Sequence, residues 1–157
     1  MVEVRFYHLV RTTLERALPE LLEKCVDRGW RAVVMAGSEE RVEQLAHLLW
    51  TYHDRSFLPH GTRRDGEPDR QPIWLTDEDE NPNGAKVLFA VDGAVSAHPD
   101  RFERICDLFD GNDPEALEAA RGRWRAMKAA GHTLVYWQQD EAGRWREKQR
   151  TGPAAEA

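Results

Sequence analysis

Two short, uninterrupted apolar runs constrain this chain more than any other feature: RAVVMA at 31–36 and KVLFAVDG at 86–93. Runs of this kind belong to strands buried on both faces, and such strands occur in parallel sheets covered by helices. The intervening segments supply the helices. Leu14, Leu18, Leu21, Leu22 and Cys25 recur at helical spacing, and Gly29 follows where a left-handed cap belongs, which predicts a helix from about Thr13 to Arg28. Ser38 as N-cap, Glu39 and Glu40 in the first turn, and a stripe of Val42, Leu45, Ala46 and Leu49 predict a second.

The remaining elements follow the same rhythm. The β-branched and aromatic segment VRFYHLV within 2–10 is a first strand, PIWL a short one, and FERICDLFDG at 102–111 contains another whose start the pattern does not fix. Asp113 as cap, Pro114 in the first turn, Leu117, Ala120, Trp124 and Met127 at helical spacing, and Gly131 as stop predict a third helix. TLVYWQQD then reads as the final strand, while GTRRDGEPDRQ and TDEDENPNG read as surface loops. The expected fold is a three-layer α/β sandwich with a mostly parallel central sheet that admits antiparallel strands at its edges, Rossmann-like but without a phosphate-binding loop. A chain of 157 residues suits one domain, expected over 1–148, with a disordered tail over 149–157. No stretch approaches the roughly 20 apolar residues of a spanning helix, and no signal core follows Met1, so the expected location is the cytoplasm.

Motifs for catalysis are missing. The turns after the first two strands, VRTT and AGSEE, match neither a GxxxxGK[ST] loop nor a GxGxxG turn. Asp77, Asp79, Asn81 and Asn83 alternate like calcium ligands, but Pro82 and Leu88 stand where glycine and glutamate would be needed, so a solvated acidic loop is the stronger reading. The six histidines and two cysteines have no metal-ligand spacing, and no serine sits in a GxSxG elbow. Cys25 and Cys106 read as buried thiols rather than a disulfide. No catalytic residue, metal or cofactor is expected, which favours a binding module over an enzyme.

The net charge of −6 argues against broad nucleic-acid binding, yet it conceals one inversion of sign. From Arg121 to Gln139 there is no acidic residue, and Arg121, Trp124, Arg125 and Lys128 share one helix face. That face suits an acidic peptide ending in an aromatic residue and a free carboxylate. Composition alone favours the other reading, a solvated basic face with Trp124 turned into the core. The aromatic segment WTYHDRSFLPHG at 50–61 is a second candidate surface, either an interface or a loop pinned to the sheet.

FYHL near the start, GWRAVV, SFLPH preceded by a helix ending in tryptophan, and ARGRWRAMKAAGHTL together resemble the chi subunit of bacterial DNA polymerase III over nearly the whole chain. The resemblance implies a non-catalytic clamp-loader accessory protein, in a family classed with DNA-directed DNA polymerase. It would bind the acidic C-terminal tail of single-stranded DNA-binding protein and touch DNA only indirectly. Position by position, it places the tail site at Arg121, Trp124, Arg125 and Lys128, with tryptophan and arginine where some relatives carry tyrosine and lysine. It places the surface for the psi subunit or, in some members, a helicase at Trp50 and Phe57. The rival readings are a nucleotide- or nucleic-acid-processing enzyme on the same scaffold, and direct binding of single-stranded DNA by the basic, aromatic helix.

Overall fold

The computed structural model describes residues 2–51 and 58–151. The chain runs through β1 (Glu3–Leu9), α1 (Leu14–Asp27), β2 (Ala32–Met35), α2 (Glu39–Thr51), β3 (Ile73–Thr76), β4 (Val87–Ala90), β5 (Arg104–Asp110), α3 (Pro114–Ala129), β6 (Thr133–Gln139) and β7 (Trp145–Thr151). The strands form one sheet in the order β3-β2-β4-β5-β1-β6-β7, parallel except for β7, which pairs antiparallel with β6. The predicted sandwich, mostly parallel with an antiparallel edge, is the fold observed.

Alternation along each strand divides the core into two layers. Tyr7 and Leu108 face α1 and α2, packing with Leu18, Leu22, Leu45 and Leu49. Phe6, Ile105 and Leu134 face α3 and meet Leu117, Trp124 and Met127. β2 and β4 are buried at every position, as continuous apolar runs require.

The predicted caps form. Ser38 Oγ accepts from the Arg41 N–H at 3.1 Å, and the Asp113 carboxylate accepts from the Glu115 N–H at 3.0 Å. α1 and α3 both end in the same glycine motif, with Gly29 at φ +76° and Gly131 at φ +91°. In each the residue after glycine donates back into the last turn, Trp30 N–H to Cys25 O and His132 N–H to Met127 O.

Three expectations need correction. β6 is not the last strand: β7 follows it through a turn at Asp140–Gly143, so residues 149–151 of the expected tail lie in the sheet. GPAAEA at 152–157 lies outside the described residues. The acidic loop is a tie rather than a solvated run. Glu80 Oε2 accepts from Trp74 Nε1 at 3.0 Å and from the Thr76 hydroxyl at 2.7 Å, while the Asp79 carboxylate accepts from the Ser96 hydroxyl at 2.7 Å and the Ala97 N–H at 2.8 Å. Asn83, 4% exposed, donates to the carbonyls of Ala32 and Gln71. Polar composition concealed these groups because their partners are backbone and side-chain atoms of β2, β3 and the loops beside them.

The two sheet edges are finished differently. Outside β3, Gly61 donates to Ile73 O and accepts from the Leu75 N–H, both at 3.0 Å. β7 is mostly exposed and carries Arg146, Glu147, Lys148 and Arg150.

Candidate partner-binding site

In an open α/β sheet, ligands gather beyond the carboxyl ends of adjacent strands whose connections leave in opposite directions. Here those strands are β1, leaving through α1 to β2, and β5, leaving through α3 to β6. A crevice of about 710 Å³ lies there, but much of its charge is already matched internally. Arg41 pairs with Glu15 at 3.1 Å and with Asp92 at 3.0 Å. Arg123 grips Asp107 with two hydrogen bonds, at 2.6 and 3.0 Å, their side chains 14% and 8% exposed. Among the described residues, no group of three or more histidine, cysteine, aspartate or glutamate side chains is arranged to hold a metal ion.

The basic stretch of α3 therefore divides. Arg123 is a structural bolt from α3 to β5, with Asp107's pKa raised by burial against the opposing pull of the guanidinium. Arg121 and Arg125 remain outside, 60% and 67% exposed, both flanking Glu118 at 3.6 and 3.7 Å. Such exposed pairs are worth at most about 1 kcal/mol and yield readily to another carboxylate. Lys128 is exposed.

Trp124 combines the two readings left open by the sequence. Its ring meets Phe6 edge-on, with centroids 5.3 Å apart, and Tyr136 at 5.8 Å, so one side belongs to the core. The residue is only partly buried, and with Phe109, Leu117, Tyr136, Arg121 and Arg125 it lines a hollow of about 350 Å³. Lys148 and Gln149 of β7 close the opposite wall. Three of the four proposed tail-binding residues thus meet at one hollow, while Lys128 is not part of its lining.

Lys148 was missed by sequence reasoning because it sits in the strand that was missed. His8 was missed too. Its Nδ1 hydrogen-bonds the Tyr136 hydroxyl, and its ring packs 5.2 Å from Phe109. Burial foremost, with a contribution from Arg121, lowers its pKa, so the neutral ring is favoured beside the hollow. Gly111 is required there, since a Cβ on it would fall 1.8 Å from the His8 ring.

Trp50, at the end of α2, is 62% exposed and edge-on to His60 at 5.3 Å. Its proposed companion Phe57 lies outside the described residues. α2 and α3 cover opposite faces of the sheet, so Trp50 and the basic face of α3 belong to opposite layers.

No helix among the described residues is long and apolar enough to cross a membrane. A model of the family described as DNA polymerase III chi subunit, HolC, matches residues 1–135. A similar protein from Rickettsia prowazekii, named Probable DNA polymerase III subunit chi, is 36% identical over 91 residues. That alignment is 58% of this chain, and the chain spans 55% of that protein's length. With most of its length inside the family match, including all of α3, the chain belongs to the DNA polymerase III chi subunit family.

Proposed function

We propose that this chain is a non-catalytic accessory subunit of the DNA polymerase III clamp-loader complex, acting in the cytoplasm, that binds the acidic C-terminal tail of single-stranded DNA-binding protein. The observation that carries this reading is the hollow beside Trp124, floored by aromatic rings and rimmed by Arg121, Arg125 and Lys148. A terminal aromatic side chain packs onto Trp124 and Tyr136, and the peptide's carboxylates draw Arg121 and Arg125 away from Glu118. Lys128, one turn further along the exposed face, steers the acidic residues upstream. A second partner, psi or a helicase, is served by Trp50 on the opposite layer together with Phe57, which lies outside the described residues, so the subunit links coated template to the replication machinery.

Titration calorimetry with the C-terminal peptide of the cognate single-stranded DNA-binding protein tests the reading. Affinity of about micromolar order is expected, weakening with salt, and lost in Arg125→Glu and with a peptide lacking its last aromatic residue. Absence of binding by the unaltered protein refutes it.

A further inference from the structure

On the opposite layer, beyond the flank of α1, a pocket of about 180 Å³ opens over β5, β1 and β6. Among the described residues its lining holds Arg5, Lys24, Arg28 and Arg104 and not one carboxylate, in a chain whose net charge is −6. Arg5 and Arg104, each 23% exposed, turn to the same oxygen of Glu3, at 2.5 and 3.6 Å, so two guanidiniums share one counter-charge. Arg28, Lys86 and Arg104 all lie within 5.3 Å of the Trp30 ring centre. Lys86 is matched by Glu103 at 3.9 Å, but Arg5 and Arg104 have the Glu3 carboxylate between them, and an anion beside them relieves their mutual repulsion.

The rest of the wall is aromatic. Trp137 stacks on Tyr7, with centroids 6.4 Å apart and planes within 12°, and Trp145 meets Tyr7 edge-on at 5.0 Å. The indole N–H of Trp137 is buried and has no hydrogen-bond acceptor among the described residues. Such a donor is costly unless a bound acceptor completes it. The space, that of roughly six waters at about 30 Å³ each, takes a phosphate group and its immediate attachment but not a whole nucleotide.

We infer that this pocket is a phosphodiester-binding site for single-stranded nucleic acid. One backbone phosphate sits among Arg5, Lys24, Arg28 and Arg104, and the adjoining base stays outside the pocket, at its mouth beside Trp145, because Tyr7 and Arg5 already pack on the Trp137 ring. Cations interleaved with indoles provide both of the contacts that a single strand offers without regard to sequence, phosphate charge and the π-face of the base. A carboxylate-rich peptide would meet the same cations but leave the tryptophan wall less used. The pocket is formed from α1, β1, β4, β5, β6 and β7 and does not include the hollow beside Trp124.

The test is fluorescence anisotropy of labelled dT20 with the full chain at low and moderate salt, with intrinsic tryptophan emission recorded in parallel. The inference expects binding with quenched emission, and an affinity at least tenfold weaker in Lys24→Gln/Arg28→Gln. Both changed residues are exposed, and circular dichroism confirms that the variant is folded. The slope of log affinity against log salt should become shallower by about 0.7 for each phosphate that the variant no longer neutralises. Arg125→Glu should bind dT20 as the unaltered protein does. No binding of dT20, binding abolished in Arg125→Glu and kept in the double variant, or preference of the pocket for an acidic peptide ending in phenylalanine would each overturn the inference.

Discussion

Replacing Arg123 by methionine removes the guanidinium from Asp107, a carboxylate only 8% exposed, and leaves it without the partner that grips both its oxygens. Breaking one side of a buried pair costs about 3–5 kcal/mol, because the remaining charge is desolvated and unmatched. For a domain of this size that corresponds to a fall in Tm of about 6–20 °C. Replacing both residues by apolar ones, as Arg123→Met/Asp107→Leu, restores most of the loss, since the unmatched charge is gone. The pH dependence is also fixed in sign. Burial already raises Asp107's pKa with Arg123 opposing it, and without Arg123 the rise is larger. A carboxyl with a folded pKa above its unfolded value of about 3.9 makes stability fall as pH rises between the two. The Arg123→Met deficit should therefore be smallest near pH 4 and grow towards neutrality. Urea unfolding followed by circular dichroism, across that range, measures it. A deficit below about 1 kcal/mol at pH 7, or a double variant no more stable than the single one, would refute the assignment of Arg123 as the bolt between α3 and β5.

Other changes read out the neighbourhood of the hollow. Gly111→Ala should cost about 1–3 kcal/mol in urea unfolding, because its Cβ would fall 1.8 Å from the His8 ring and 2.9 Å from Leu9 O, and His8→Ala should recover part of that loss. With His8's pKa lowered by burial and by Arg121, its contribution to stability is present above the unfolded value of about 6.5 and is lost as pH falls through the window below it. In NMR titrations Arg121→Gln should raise the His8 pKa, and no movement would remove Arg121 as a cause. Lys148→Glu should weaken the acidic tail peptide roughly tenfold, about 1.4 kcal/mol, although it lies beyond the family match.

What the sequence made legible was whatever burial imprints on composition. β2 and β4 are covered on both faces and must be apolar throughout, and the helices carry their stripes and end signals because caps and glycine turns are local chemistry. β7 left no such imprint, since it is paired on one side and exposed along most of its length, so WREKQRT has no apolar alternation to find. The hollow was half legible. Helical spacing placed Arg121, Trp124 and Arg125 together, but Lys148 and Gln149 arrive through a strand hidden by its polarity. Arg123 looked like its neighbours, and only the tertiary position of Asp107 shows that it faces inward. The pocket at Arg5 and Arg104 draws its residues from six elements, a juxtaposition that no local spacing records.

The finished edges of the sheet decide how this molecule can be approached. An incoming chain finds the backbone outside β3 occupied by Gly61, and at the opposite margin it meets a row of arginine, lysine and glutamate side chains on β7. Lengthening of the sheet by a visiting strand, the commonplace route both to peptide capture and to fibrous stacking, is thereby discouraged at both ends. Recognition falls instead to side chains standing on the two broad faces, where selectivity depends on charge and ring geometry rather than on shared backbone pairing.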